Sequence, residues 1–79
     1  MSSIHDLRYR KLIHDLIAIR ESKKITQVEL ASSLKKPQSY IAKVENFDRR
    51  LDVLELNDWL NALGLSIISF LEDSLLSDT

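Results

Sequence analysis

Apolar residues recur along this chain at helical spacing from one end to the other, and no stretch alternates with the period of a strand. The first run, Leu7, Leu12, Ile13, Leu16, Ile17 and Ile19, predicts a helix from about Ile4 or Asp6 to Ser22, with more apolar surface than a single stripe needs. Leu30, Ala31 and Leu34 make the stripe of a short second helix opening at Thr26, and Ile41 and Val44 make that of a third after Pro37. A fourth helix begins near Asp52 and carries Leu54, Leu56, Trp59, Leu60 and Leu63. Gly64, the only glycine, is placed to end it in a left-handed conformation. A fifth runs from Ser66 to about Leu76 with Ile67, Ile68, Phe70, Leu71, Leu75 and Leu76. The pattern predicts an all-α, compact five-helix fold, a single domain over 1–79.

Local chemistry sharpens the middle of this pattern. Thr26 is a helix cap and Glu29, three residues on, reaches back to the cap's own N–H, which makes a capping box. Asp52 and Glu55 repeat the device at the fourth helix. Ala31 is small enough to let the third helix approach closely, while Gln38, Ser39, Ala42 and Lys43 are left on that helix's outer side. Two short helices that bury one face each and present the outer face of the second form a helix-turn-helix at 26–45, the arrangement that places a recognition helix in the DNA major groove.

The residues Arg20, Thr26-Gln27, Glu29-Leu30-Ala31, Gln38-Ser39-Tyr40-Ile41, Glu45-Asn46 and Arg49 to Val53 resemble the Cro and phage-repressor class of helix-turn-helix proteins, the XRE family, over about residues 10 to 75. The resemblance implies a lambda-repressor-like fold and a DNA-binding regulator. It places Gln38, Ser39 and Lys43 on positions that read base edges. Gln27 falls on a position that contacts phosphate and braces Gln38, and Asn46 on another phosphate position. Arg20 and Glu45 fall on an ion pair that joins the first helix to the recognition helix and is structural. Chemistry agrees with the base contacts: a glutamine amide pairs bidentately with adenine, serine donates or accepts, and lysine suits guanine acceptors. The Tyr40 hydroxyl, Lys36, Arg49 and Arg50 flank the same face as further phosphate contacts, with Lys23 and Lys24 just before the second helix. Arg50 has the alternative of bridging acids such as Asp52. Two positions depart from the family: Lys35 and Phe47 stand where many relatives have glycine, and a side chain in left-handed backbone costs roughly 1 kcal/mol.

Net charge is −1, but the charges are segregated. Residues 1–50 hold all 11 Lys and Arg against six acids, a net of +5, whereas residues 51–79 hold six acids and no base. That split suits a chain whose amino-terminal part meets phosphate. Cysteine is absent, so neither disulfides nor thiolate metal sites support the core. His5 and His14, nine residues apart on a helix, point about 180° from one another and form no metal site. No segment has membrane-spanning length or a signal pattern, and a cytoplasmic protein is expected.

The apolar surplus on the fifth helix, Ile67, Phe70, Leu71 and Leu75, suggests a homodimer interface, the alternative being that these residues cover the small core. The leading reading is a transcriptional repressor that binds double-stranded DNA at a palindromic operator as a homodimer, with half-sites about 34 Å apart. An acidic patch at Glu55 and Asp58 is available to touch polymerase. Two alternatives share the motif: an antitoxin whose first and fifth helices grip a toxin, and a protein-interaction module that has lost DNA binding. No cofactor is expected and no catalytic residue is assigned, because no Cys, Gly-rich loop or His–acid spacing supplies the converging groups of an active site.

Overall fold

The computed structural model describes residues 4–76. Asp6 starts α1 (Leu7–Ser22): its carboxylate accepts the Arg8 backbone N–H at 2.8 Å and the Arg8 guanidinium at 2.9 Å. Thr26 opens α2 (Gln27–Leu34) with the expected capping box, the Glu29 N–H on Thr26 Oγ1 at 3.1 Å and the Thr26 N–H on Glu29 Oε1 at 2.8 Å. Pro37, extended at ψ 154°, leads into α3 (Gln38–Glu45) without a side-chain cap. The Asp52–Glu55 box opens α4 (Val53–Ala62), and Ser66 caps α5 (Ile67–Leu71), which runs on into one π-helical turn, Glu72–Leu76. No strand occurs among the described residues.

The first four helices all end the same way. A residue in left-handed backbone follows each, Lys24, Lys35, Phe47 and Gly64, at φ 58°, 57°, 65° and 81°. The next residue's N–H returns to a carbonyl of the last turn: Ile25 to Arg20, Lys36 to Ala31, Asp48 to Lys43 and Leu65 to Leu60, at 2.8–3.1 Å. This is the Schellman motif, which glycine favours because it has no Cβ to clash. Lys35, Phe47 and Gly64 were anticipated; Lys24 was not. At Phe47 the strain is offset by the ring, which lies 5.4 Å from the His14 ring, edge to face, and 4.3 Å below the Arg10 guanidinium.

One core joins all five helices. Ile13 and Leu16 of α1, Leu30 of α2, Ile41 and Val44 of α3, and Trp59 and Leu60 of α4 are each at most 1% exposed. The wide apolar surface of α1 is explained by its neighbours: Leu12, Ile17 and Ile19 pack partly buried against that core, with α3 on one side and the π turn on another. The carboxy-terminal end corrects two expectations. The fifth helix is not continuous α-helix to Leu76 but changes pitch at Glu72, and Ser74, 2% exposed, donates its hydroxyl to Asp15 of α1 at 2.7 Å. Lys11 clamps the same junction, on Asp15 at 3.0 Å and on the Ser74 carbonyl at 2.9 Å. Phe70, assigned above to a dimer face, is 4% exposed and belongs to the core, because α5 turns it toward the other helices. Ile68, at 71% exposure, is what α5 presents outward instead, beside the half-buried Ile67 and Leu71 and the exposed Leu75.

Candidate nucleic-acid interface

Three attachments fix α3 and thereby decide which of its residues face out. The first is packing: Ile41 and Val44 are fully buried, so Gln38, Ser39 and Lys43 are exposed on the opposite side.

The second is a buried ion pair. Arg20, 8% exposed, meets Glu45, also 8% exposed, with both arms of its guanidinium: Nε donates to Oε2 at 2.7 Å and the second amino group to Oε1 at 3.0 Å. The remaining amino group of Arg20 donates to the Ile25 carbonyl at 2.8 Å, which ties the α1–α2 turn to the same point. A planar guanidinium matches a carboxylate in this two-bonded way, and the geometry sets the angle between α1 and the end of α3. The chain of bonds continues outward. Gln27 Nε2 donates to Glu45 Oε1 at 2.9 Å, and Gln38 Nε2 donates to Gln27 Oε1 at 3.3 Å. The expected brace between Gln27 and Gln38 is therefore present; its anchoring on Glu45 was not foreseen, because no spacing rule connects positions 27 and 45.

The third attachment is aromatic. Trp59 of α4 is buried, so its indole N–H requires an acceptor. It finds the Tyr40 hydroxyl at 3.1 Å, and that hydroxyl in turn donates to Glu55 at 3.5 Å. Tyr40, assigned above to the phosphate backbone, thus has its hydroxyl turned inward, and its role is to seat α3 on α4. Burial pushes its phenol above the ordinary tyrosine range. Arg49 covers this cluster, 4.7 Å over the Tyr40 ring and 2.8 Å from Glu55. Glu55 is held below the usual carboxylate range by that Arg49 hydrogen bond first and by the Asp52 N–H second. The acidic patch anticipated at Glu55 and Asp58 is accordingly broken: Glu55 is occupied by Arg49, Tyr40 and the capping box.

Among the remaining phosphate candidates, Lys36 is exposed with its ammonium 5.6 Å from the Tyr40 ring, and Asn46 is the exposed C-cap of α3. Arg50 lies 5.0 Å over the Tyr9 ring, whose hydroxyl accepts the Leu51 N–H at 3.2 Å. Arg50 thereby braces against α1, and Arg49 pairs with Glu55 at 2.8 Å. Lys23, Lys24, Lys35 and Lys43 are exposed as well, so the surface around α2 and α3 is rich in cations. Among the described residues no group of three or more His, Cys, Asp or Glu is placed to hold a metal ion, and no helix is long and apolar enough to cross a membrane.

Comparison with known proteins agrees with this geometry. The helix-turn-helix family profile matches residues 16–70. An XRE-family like protein from Pseudomonas syringae pv. tomato has a structure that superposes with a TM-score of 0.89 at 38% sequence identity, covering 96% of this chain and 93% of that one. The restriction-modification controller protein C.Esp1396I gives a TM-score of 0.83 at 24% identity, covering 94% of this chain and 96% of that one, which is a likeness of fold. No curated protein sequence matches the chain. With the family profile spanning α2, α3 and α4 whole and the Pseudomonas relative aligned over nearly its full length, the chain belongs to the XRE family of helix-turn-helix proteins, DNA-binding regulators of transcription.

Proposed function

We propose that this protein is a sequence-specific repressor that binds a palindromic operator as a homodimer. The observation that carries the reading is the exposed face of α3: Gln38, Ser39 and Lys43 point outward from a helix whose buried face, ion pair and aromatic seat leave it no freedom to turn. A rigid helix presenting a glutamine and a serine at its amino end and a lysine in its last turn carries the groups that major-groove recognition uses. Gln27, Lys36, Asn46, Arg49 and Arg50 supply the phosphate contacts around it. Repression follows as the simplest outcome, since occupying a promoter needs no further surface. Dimerisation uses the outward side of α5 and the π-helical turn after it, where Ile68 and Leu75 are exposed beside Ile67 and Leu71.

The test is fluorescence anisotropy with duplex DNA taken from directly upstream of the protein's own gene, beside a scrambled duplex, at two salt concentrations. Tight binding to the upstream duplex that weakens as salt rises is expected, because lysines and arginines release counterions from the phosphates they neutralise. Absence of binding to any duplex at low salt rejects the reading.

A further inference from the structure

The ion pair, the brace and the base-reading residue form one directed chain: Arg20 donates to Glu45, Gln27 donates to Glu45, and Gln38 donates to Gln27. Direction matters because an amide has two unlike ends, a carbonyl that accepts and an NH2 that donates, and only its partners choose between them. A carboxylate paired with arginine accepts. Whatever faces it must donate, so Gln27 turns its NH2 to Glu45 and its carbonyl to Gln38. Gln38 must then give one of its two N–H groups inward. What remains for the outside is its carbonyl and its second N–H, side by side.

We infer that Glu45 is a specificity-setting positioning residue: through Gln27 it fixes the amide of Gln38 with an acceptor and a donor facing the DNA, an edge that fits adenine and not guanine. Adenine offers an acceptor at N7 and a donor at N6 in the major groove, the complement of that edge; guanine offers two acceptors, N7 and O6. If the chain ran the other way, Gln27 would donate to Gln38, the Gln38 carbonyl would be used inward, and only an NH2 would face out, which suits guanine. The buried pair thus does more than hold two helices at an angle. It chooses which of two purines the exposed glutamine accepts. The inference rests on the DNA-binding reading above and deepens it.

Glu45→Gln gives the directional test. Arg20 donates Nε to Oε2 at 2.7 Å and its second amino group to Oε1 at 3.0 Å, the oxygen that Gln27 also uses. With the new carbonyl kept on the shorter Nε bond, the NH2 takes the Oε1 position, where the second Arg20 bond is lost and Gln27 must accept; Gln27 then donates to Gln38, and the polarity of the chain reverses. Gln27→Ala breaks the chain while leaving both Arg20–Glu45 bonds in place. A randomised duplex pool is selected on the full chain and sequenced, and anisotropy then measures the selected duplex against its adenine-to-guanine variants. Gln38→Ala identifies the base step that Gln38 reads, as the step whose preference it abolishes. The wild-type chain is expected to prefer adenine there by roughly tenfold. Gln27→Ala should bring that ratio toward parity, and Glu45→Gln should move it toward guanine, with both variants still unfolding cooperatively and still binding scrambled DNA at low salt.

A ratio unchanged in Gln27→Ala overturns the inference, as does uniform weakening of all duplexes in Glu45→Gln with the ratio preserved, which is the mark of a purely structural pair. Should Glu45→Gln fail to fold, Gln27→Ala decides alone. A wild-type chain that binds duplex DNA but prefers guanine at the Gln38 step rejects this inference and leaves the function standing. No binding to any duplex rejects both.

Discussion

A side chain in left-handed backbone brings its Cβ against the following carbonyl oxygen at a cost of about 1–2 kcal/mol. Lys24, Lys35 and Phe47 all sit there, and their surroundings differ enough to predict opposite outcomes for the same substitution. Lys35 is exposed, so Lys35→Gly should leave stability unchanged or raise it by up to about 1 kcal/mol, the gain being trimmed by the greater freedom of glycine in the unfolded chain. Phe47→Gly relieves the same strain but removes a half-buried ring that packs on His14 and lies under Arg10, so it should destabilise by about 1 kcal/mol net. Urea midpoints at unchanged slope check both signs. Lys35 and Phe47 were legible as left-handed because the family places glycine at those positions. Lys24 was not, since nothing in Ser-Lys-Lys-Ile marks it; its conformation follows from the need to close α1 and bury Ile25 against the core.

The helices were legible for reasons that act within a few residues. Capping boxes at Thr26 and Asp52, and the serine cap at Ser66, begin helices where short-range hydrogen bonding demands, and the structure places α2, α4 and α5 accordingly. How the elements are locked together is a longer-range matter, and the Arg20–Glu45 pair dominates it. Arg20→Met leaves the Glu45 carboxylate buried without its cation, which should cost about 3–5 kcal/mol, a large part of the stability of a domain this size. The double variant Arg20→Met with Glu45→Leu removes both charges and should recover most of that loss, because a buried ion pair and a well-packed apolar pair are of comparable stability. Thermal unfolding followed by circular dichroism measures both. Recovery in the double variant shows that the penalty lay in the orphaned charge.

At the scale of the molecule, protonation bounds the range in which this assembly is stable. Asp6 is held below the carboxylate range chiefly by its hydrogen bond to the Arg8 side chain, Glu29 chiefly by the Thr26 N–H, and Glu55 chiefly by Arg49. Each has a folded value below its unfolded one, so each contributes stability that is complete above the ordinary range near pH 4 and is lost as pH falls through the folded values. Tyr40 acts in the other direction: burial raises its value, so its contribution is present below about pH 10 and is lost as pH rises beyond that. Melting temperature against pH should therefore show a plateau with falling edges at acid and alkaline pH. A second expectation concerns assembly. Ile68→Asp puts a charge on the most exposed apolar residue of α5 without disturbing Phe70 beneath, and should give a folded monomer by sedimentation with weaker operator binding. A dimer that survives it rejects the α5 interface.

The sequence by itself determined the five helices, the capping boxes at Thr26 and Asp52, the helix-turn-helix at 26–45 and the outward placement of Gln38, Ser39 and Lys43, because each depends on periodicity and on hydrogen bonds spanning three or four residues. It also carried the segregation of charge. Only the tertiary structure decided that Phe70 is core and Ile68 surface, that Tyr40 turns its hydroxyl to Trp59, that Glu55 is taken by Arg49, and that Ser74 closes the carboxy-terminal turn on Asp15. The same holds for the step from Glu45 to Gln27, two residues 18 positions apart. Partners that far apart are chosen by how helices pack, and a polar group finds whichever complementary group the packing brings within about 3 Å.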